Sequence, residues 1–478
     1  MRIVYLCLGL VSLLLCAGCG SNSGGVPGFV PSGSFSAASL NGPYVYQIEG
    51  FDFSGTTPVP YREAGVFTAN GNGAITSATD DFSEGSGVAN TVSTGSYTVS
   101  KDGTGRLTLN NGLGTIQLAI TIVSASRVYL VEGDALLNAG GMAEKQDSTA
   151  IAAAPAGTFV FREHDLNSVQ SVASVGAFTV AGGIVSTGNE DINRGETFSS
   201  LSFTGSLNPP DPTTGRGTGT FTDTTPATSS FIYYVVDANN VRFLASTSGI
   251  LGMGRAELQS GSPALSGSYA FGSKGDTTSL GGVNMAGRFT ASGGTITAGT
   301  RDSVQDGANA TNVSFTGTYT QAVSGRAVLS LSTAANNSLV VWMVNPARGL
   351  FLVNDANTVQ DGSLDLQQAS TFSNSTMNGQ FALIMDGFDN GIAKDRVGTL
   401  QWDGNGKLTL NEFTNAGGSI NFPLILSGNY AVSGNGRAGG SISNLSSNLI
   451  FYLISGSDAY VVQNDPNVEI NGTISKQQ

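Results

Sequence analysis

The chain contains one histidine, His164, in the segment Arg162-Glu163-His164-Asp165. A histidine beside carboxylates has the side chains of a general base, because its ordinary pKa lies near neutral pH. The segment follows a predicted strand, which places His164 in a solvated loop. Three related segments of the chain, described below, contain no histidine. We therefore interpret His164 as a surface side chain and not as a catalytic base.

Acidic residues recur at corresponding places, at Asp80-Asp81, Asp191, Asp302 and Glu412. Paired carboxylates can serve glycoside hydrolysis, but an acid that recurs in this way more often ends a strand or caps a turn. An arginine also recurs in glycine-rich turns, in Gly105-Arg106, Gly215-Arg216-Gly217, Gly325-Arg326 and Gly436-Arg437. We expect these arginines to pair with the carboxylates in modest structural contacts.

Turns rich in Asp, Asn and Gly resemble calcium loops only partly. The best candidate is Asp386-Gly387-Phe388-Asp389-Asn390-Gly391. Calcium takes about six to eight oxygen ligands, and a helix-loop-helix site ends in a bidentate Glu that this segment lacks. Hairpin turns require Asn-Gly and Asp-Gly pairs in any case. The glycine-rich string from Gly434 to Gly439 leads into no predicted helix, which a phosphate loop requires. We predict no metal, no cofactor and no catalytic residue.

The cysteines, Cys7, Cys16 and Cys19, all lie in the first twenty residues. The rest of the chain therefore has no disulfide, no thiolate metal site and no cysteine nucleophile. Arg2 precedes an apolar stretch from Ile3 to Leu15, a pattern typical of a secretory signal.

The stretch Leu14-Leu15-Cys16-Ala17-Gly18-Cys19 resembles a bacterial lipobox, although Cys16 stands where Leu is usual. The resemblance implies that residues 1–19 form a lipoprotein signal peptide and that Cys19 is lipidated, which makes the membrane a partner through this lipid. It also implies outer-membrane sorting, because Gly20 and not Asp follows the cysteine. Residues 20–38 are rich in Gly, Ser and Pro and predict a flexible tether.

Composition restricts the fold and the partners. Charged residues make up only 12% of the chain, while 66 glycines and 37 Phe and Tyr side chains (24 + 13) favour short strands and tight turns. The net charge of −13 repels phosphate backbones, so we predict that the chain does not bind nucleic acid.

Internal repetition is the strongest signal after residue 38. Glycines at 65, 176, 287 and 398 lead one landmark with a constant spacing of 111 (176 − 65, 287 − 176, 398 − 287). Each unit opens with Gly and an aromatic residue, in Asn41-Gly42-Pro43-Tyr44, Ala156-Gly157-Thr158-Phe159, Ser266-Gly267-Ser268-Tyr269 and Asn378-Gly379-Gln380-Phe381. Each unit closes with glutamine, at Gln146, Gln259, Gln367 and Gln477. These landmarks define units at 39–147, 154–259, 264–367 and 375–477.

Within a unit the apolar period is two, as in Leu107-Thr108-Leu109. We count about eight antiparallel strands per unit, joined as a meander, and predict an all-β chain of four up-and-down barrels in a row. A β-sandwich and an eight-bladed propeller are the alternatives. Aromatic residues such as Tyr44, Phe67 and Tyr97 are expected in the cores.

In strand count and meander order each unit resembles the calycin barrels of lipocalins and avidins. The units have Tyr or Phe where lipocalins place Trp, and only Trp342 and Trp402 exist, whereas avidin sites use several. The ligands of these families are therefore not implied.

Fold landmarks repeat without reactive groups, which predicts a lipid-anchored cell-envelope protein with a non-catalytic structural or interaction role and an envelope or extracellular partner. We predict that it is not an enzyme; the irregular Asn208-Pro209-Pro210-Asp211-Pro212 loop is the one place to look for such a site. A carrier of small apolar ligands is one alternative and requires cavities inside the units. A carbohydrate-binding surface protein is another and requires exposed aromatic platforms.

Overall fold

The computed structural model describes residues 33–478 except 86, 112–113, 168–169, 196, 226–227, 262, 280, 333–337 and 444–446. The predicted signal peptide, Cys19 and the tether as far as residue 32 lie outside these residues. Two short 3-10 helices, Ala37–Ser39 and Asn374–Thr376, are the only helices in the described part. Among the described residues, no helix has the length and apolar character needed to cross a bilayer.

The chain forms four closed antiparallel barrels of eight strands each. The first contains β1 (Asn41–Asp52), β2 (Val59–Asn70), β3 (Ala74–Ser83), β4 (Val88–Val99), β5 (Thr104–Asn110), β6 (Thr115–Ser124), β7 (Arg127–Glu132) and β8 (Leu137–Lys145). The second contains β9 (Gly157–Asn167), β10 (Ser171–Ala181), β11 (Ile184–Asn193), β12 (Phe198–Leu207), β13 (Arg216–Asp223), β14 (Thr228–Asp237), β15 (Asn240–Ala245) and β16 (Ile250–Leu258).

The third barrel contains β17 (Gly267–Thr277), β18 (Gly282–Ser292), β19 (Thr295–Gln305), β20 (Ala308–Gln321), β21 (Arg326–Leu331), β22 (Ser338–Asn345), β23 (Arg348–Asn354) and β24 (Thr358–Leu366). The fourth contains β25 (Asn378–Asp389), β26 (Ile392–Asp403), β27 (Lys407–Ala416), β28 (Ser419–Val432), β29 (Arg437–Ile442), β30 (Ser447–Leu453), β31 (Asp458–Gln463) and β32 (Val468–Lys476). Neighbouring strands pair in chain order, and the last strand of each barrel pairs with the first. The prediction of up-and-down barrels is confirmed, and the sandwich and propeller alternatives are wrong.

Each barrel is filled by its own apolar core. Leu107 and Leu109 are fully buried, as the alternating pattern of β5 predicts. Tyr44 and Phe67 stack in the first core with their ring centroids 5.5 Å apart, and Tyr97 is buried in the same core. The aromatic residues of the repeated landmarks therefore contribute to packing inside the barrels.

The four tandem barrels contact one another so that they close into a ring. The first and second strands of each barrel contact the sixth to eighth strands of the following barrel, and the fourth barrel contacts the first in the same way. In the second and third barrels the third strand also takes part in this contact. A separate apolar cluster fills each of the four interfaces. The ring therefore has eight apolar clusters, four inside barrels and four between them, and all four barrels belong to one compact unit.

The repeated closing glutamine links each barrel to the next. Its amide nitrogen donates to two backbone carbonyls of the following barrel, with Gln146 bound to Thr214 and Val235, Gln259 to Ser324 and Met343, and Gln367 to Asn435 and Leu453. Gln477 donates to Asp102 and Ile122 of the first barrel and so closes the ring.

A glycine with positive φ faces each of these glutamines. At Gly215 (φ 69°) an added Cβ would lie 2.6 Å from Nε2 of Gln146. The corresponding glycine of the first barrel is Gly103, because an added Cβ at Gly103 would lie 2.5 Å from Nε2 of Gln477.

The residue that follows Gly103, Thr104, therefore corresponds to Arg216, which follows Gly215. The sequence alignment of Arg106 with Arg216 is wrong by two positions.

The repeated acids lie within strands and hold the interfaces, so their prediction as strand ends or turn caps is wrong. Asp81, Asp191 and Asp302 are buried and bind the repeated arginine of the following barrel with both carboxylate oxygens, pairing with Arg216, Arg326 and Arg437 respectively. Each also accepts a hydrogen bond from an aromatic side chain of that barrel, from Tyr234, Trp342 and Tyr452 respectively. The predicted pairing of arginine with acid is found, but it joins two barrels.

The fourth interface is different. Phe413 takes the position of these aspartates and belongs to the apolar cluster between the fourth and first barrels. Thr104 and Thr121 take the positions of the arginine and the aromatic residue. Glu412, which the sequence pattern grouped with the aspartates, pairs instead with Arg396 of its own barrel.

Candidate binding site on the ring axis

The first and last strands of all four barrels line the centre of the ring, which we call the axis. A cavity of about 230 Å³ lies there, with residues of β1, β9, β17 and β25 in its wall. A second cavity of about 380 Å³ is lined by the same four strands further along their length. Four corresponding side chains, Glu49, His164, Lys274 and Asp386, line both cavities. These four, which we call the charged ring, therefore separate the two cavities.

The charged ring occupies one position of the repeat. Each member lies five residues after the aromatic residue that opens its unit, namely Tyr44, Phe159, Tyr269 and Phe381. Nζ of Lys274 lies 2.5 Å from Oδ2 of Asp386 and also contacts the Glu49 carboxylate. Burial opposes ionisation of Glu49, but Lys274 and Arg62 outweigh burial and hold its pKa well below its ordinary value. The position thus carries two anions and two cations.

His164 belongs to this ring and lies in β9, so its prediction as a solvated loop residue is wrong. Its Nδ1 lies 2.8 Å from Oδ1 of Asp361, and its Nε2 lies 3.5 Å from Oδ2 of Asp276. Burial lowers the pKa of His164, but the two neighbouring carboxylates outweigh burial and raise it to about 10. An imidazolium held in this way is charged at neutral pH and does not accept a proton, which is the opposite of a general base.

Basic side chains dominate the smaller cavity, which we call the basic chamber. Besides the charged ring it is lined by Arg162, Arg242 and Arg255 against one acid, Asp361. Arg162 pairs with Asp361 and Arg242 pairs with Glu144. Arg255 lies 3.6 Å from Glu257. Burial, followed by the charge of the neighbouring Arg242, lowers the pKa of Arg255 to about 9.

Acidic and aromatic side chains dominate the larger cavity, which we call the acidic chamber. Besides the charged ring it is lined by Asp276, Asp395 and Glu469 against one base, Arg62. Phe51 and Phe388 also line it, and their ring centroids lie 5.5 Å apart at 62°. The two chambers therefore differ in the sign of the charge that they offer to a ligand.

A repeated glycine lets the two axial strands of each barrel approach. The corresponding residues of the last strands are Gly141, Gly254, Gly362 and Gly472. At Gly472 an added Cβ would lie 1.9 Å from the carbonyl oxygen of Ile384 in the paired first strand. The repeat thus conserves the backbone around the axis, while the side chains that face the axis differ from unit to unit.

The carboxylates of the other sequence candidates are engaged by neighbouring side chains or by their own turn. Asp386, from the best calcium candidate, binds Lys274, and Asp389 binds Lys394. Asp211, from the irregular loop of the second unit, accepts hydrogen bonds from the backbone and hydroxyl groups of Thr213 and Thr214 in its own turn. The described residues contain no group of three or more His, Cys, Asp or Glu side chains placed to hold a metal ion.

The sequence reasoning missed the axis, although a signal for it was present. Comparison of the four opening strands shows charged residues of both signs at the fifth position after the aromatic landmark. Such variation stands out against the constancy of the landmarks. Only the closure of the ring, however, places these four positions together.

Comparison with known proteins does not assign this chain to a family. No protein-family model matches the chain, and no curated protein matches it. Among solved structures, an isotype 1 transferrin binding protein B from serogroup B Neisseria meningitidis has a TM-score of 0.20 at 9% identity, over 78% of this chain and 84% of that one. A transferrin binding protein B from Haemophilus parasuis has a TM-score of 0.18 at 10% identity, over 76% and 86%. A putative AttH from Nitrosomonas europaea has a TM-score of 0.17 at 7% identity, over 68% and 92%. Similarities at these TM-scores and identities establish no family and no function for this chain.

Buried carboxyl groups inside the first two barrels predict an unusual dependence of stability on pH. Burial, followed by the charge of Asp80, raises the pKa of Glu63 to about 7, and burial raises the pKa of Asp80 itself to about 6. In the second barrel burial raises the pKa of Asp165 to about 6 and of Glu190 to about 7. A raised pKa stabilises the fold fully below the ordinary pKa, and this stabilisation is lost as the pH rises through the raised value.

We therefore expect the melting temperature to be highest near pH 5 and to fall between pH 5 and pH 8. Below about pH 4 it should fall again, because paired carboxylates such as Glu144 and Asp361 have lowered pKa values. Glu63→Gln removes one buried ionisation and should reduce the loss of stability by about 3 kcal/mol. Thermal unfolding of both proteins from pH 4 to pH 9 tests this. A melting temperature that rises from pH 5 to pH 8 contradicts it.

Proposed function

We propose that this chain is a lipid-anchored protein of the cell envelope with a non-catalytic interaction role, and that it binds a charged small molecule on the ring axis. One observation carries the proposal. The charged side chains that differ among the four units converge around two cavities. The residues that repeat lie in barrel cores, turns and interfaces, where they hold the ring together.

The chemistry of the axis favours binding over catalysis. His164 is hydrogen-bonded at one ring nitrogen and lies between two carboxylates, and Lys274 contacts two others. Fixed charges of this kind orient a charged ligand, because each is already held in place by its partners.

The two alternatives from the sequence receive less support. A carrier for apolar ligands requires a roomy barrel interior, typically about 300 Å³ or more. The barrels are filled instead, and a cavity of about 50 Å³ in the second barrel is lined in part by Glu163, Asp165 and Glu190. A carbohydrate-binding face requires exposed aromatic rings. The large apolar side chains exposed in the described part of the chain are all Val, Leu or Ile.

Screening of the purified ring by thermal shift tests the proposed function. We expect at least one class of charged small molecule, among amines, carboxylates and phosphates, to raise the melting temperature of the wild type. The shift should shrink in a variant of the chamber concerned, Asp395→Asn for the acidic chamber or Arg255→Gln for the basic chamber. If no class raises the melting temperature, or if both variants respond as the wild type does, the axis is not a binding site.

The anchor is tested separately by substitution of the leader cysteines. Cys19→Ser should abolish labelling by a fatty-acid analogue in cells and release the protein from the membrane fraction, since Cys19 is the proposed site of lipidation. Cys16→Ser is the matched control and should keep both the label and the membrane location. Label that persists in Cys19→Ser and disappears in Cys16→Ser would move the anchor to Cys16.

A further inference from the structure

The acidic chamber has the size and the walls of a ligand site. Its volume of about 380 Å³ lies within the range of small-molecule sites, and all four barrels contribute to its wall. Its shape therefore depends on the closure of the ring and not on the conformation of a single loop.

Most charges in this chamber are compensated. Asp276 pairs with His164 and accepts a hydrogen bond from the Ser171 hydroxyl. Glu469 accepts a hydrogen bond from the backbone N–H of Gly307. Nε of Arg62 lies 3.3 Å from Oε2 of Glu49 in an ion pair without a hydrogen bond, and the guanidinium donates to the Tyr61 carbonyl.

Asp395 is the exception. It is 3% exposed, and its Oδ2 has no hydrogen-bond partner. It lies directly opposite Asp386 in the pairing of β25 with β26, and Lys274 contacts Asp386 instead. Burial, followed by the charge of Asp386, raises the pKa of Asp395 well above its ordinary value. A buried carboxyl group without a cation is unfavourable when ionised, and a cationic ligand would remove this cost.

The remaining wall indicates which kind of cation fits. Phe51 and Phe388 present aromatic rings, and Pro58 and Pro60 add apolar surface. Aromatic faces attract ammonium and guanidinium groups, and apolar side chains pack against the body of an organic ligand. A metal ion would need several oxygen ligands around one point, and the described residues contain no such group.

We propose that the acidic chamber binds an organic cation, a molecule with an ammonium or guanidinium group on an apolar body, and that Asp395 is its counter-ion. This proposal rests on the function proposed above and names the ligand class for one of the two chambers. A free amine and a lysine or arginine side chain of a peptide both present this chemistry, and the binding experiment distinguishes them.

Calorimetry on the intact ring with phenethylammonium, agmatine and a short lysine-containing peptide tests the proposal, with 2-phenylethanol as the uncharged control. We expect one or more cations to bind and 2-phenylethanol not to bind. Asp395→Asn keeps the shape of the side chain and should weaken cation binding at least tenfold. Asp389→Asn on the paired strand β25 is the matched control and should bind as the wild type does.

A second measurement detects the proton that Asp395 releases when a cation binds. Asp386 on the neighbouring strand, and Lys274 and Glu49 across the axis, set the charge around Asp395. Binding of a cation should ionise Asp395, so about one proton should be released per ligand near neutral pH, detected as a dependence of the binding heat on the buffer. Asp395→Asn should lose this release.

The outcomes separate the two proposals. Binding of the amines but not the peptide, or of the peptide alone, supports the inference and identifies the source of the cation. Equal cation affinity in Asp395→Asn and the wild type overturns it. Binding of succinate or phosphate in the basic chamber, with no cation bound, overturns the inference and leaves the proposed function in place. If no charged ligand binds, both proposals fail.

Discussion

Replacement of Asp191 by alanine is expected to lower the free energy of unfolding by about 3 to 5 kcal/mol. Asp191 is 1% exposed and accepts four hydrogen bonds. Two come from Arg326 and one from the indole N–H of Trp342, both in the following barrel. Without the carboxylate, the guanidinium and the indole lose their partner in a place that water reaches poorly. Chemical denaturation of the two proteins measures the difference.

The fourth interface of the ring supplies the control. There Phe413, Thr104 and Thr121 take the places of the acid, the base and the aromatic residue. A triple variant, Asp191→Phe with Arg326→Thr and Trp342→Thr, copies this arrangement into the second interface. It should lose less stability than Asp191→Ala, because no charge is left without its partner. A triple variant that unfolds more easily than Asp191→Ala would contradict this expectation.

Removal of the fourth unit, by a chain that ends at residue 367, is expected to abolish the stable monomer. The truncation exposes the remaining halves of two interface clusters. These include Ala119, Val123 and Tyr129 of the first barrel and Ala270 and Ala286 of the third. Burial of one large apolar side chain is worth about 1.5 to 3 kcal/mol, so each open interface loses several kcal/mol. Light scattering should show association or aggregation of the shortened chain.

A cut chain is the matched control for this truncation. A protease site placed at the exposed residues 368–371 separates the fourth unit from the third without removing it. The cut protein should elute at the size of the intact ring, because Gln367, Gln477 and the interface clusters still hold the fourth barrel. Dissociation after the cut would mean that the linker holds the ring together.

The barrels were predictable because their signals are local. Period-two alternation, turn glycines and landmarks at a spacing of 111 together indicate eight strands per unit. The closing glutamines were visible as a pattern, but their role was not. The partners of Gln146 lie 68 and 89 residues away in the next barrel, and no periodicity within a strand indicates such a contact.

The same limit explains the error at His164. Four consecutive charged or polar residues, Arg162 to Asp165, interrupt the apolar alternation and predict a loop. They form a strand whose two faces line polar cavities and not an apolar core. Glu163 and Asp165 line the small cavity of the second barrel, while Arg162 and His164 face the axis. A strand between two polar spaces loses its alternation, and only the folded structure shows that both spaces exist.

The contacts of the ring all run in one direction, from the first strands of one barrel to the last strands of the next. Four separate copies of one barrel would use such a contact to form a cyclic homotetramer. In that assembly every residue on the axis meets three copies of itself, so a glutamate at position 49 would face three more glutamates. Joining the units in one polypeptide removes this constraint. Glu49, His164, Lys274 and Asp386 can then differ, and the axis becomes asymmetric where that of the homotetramer would have fourfold symmetry.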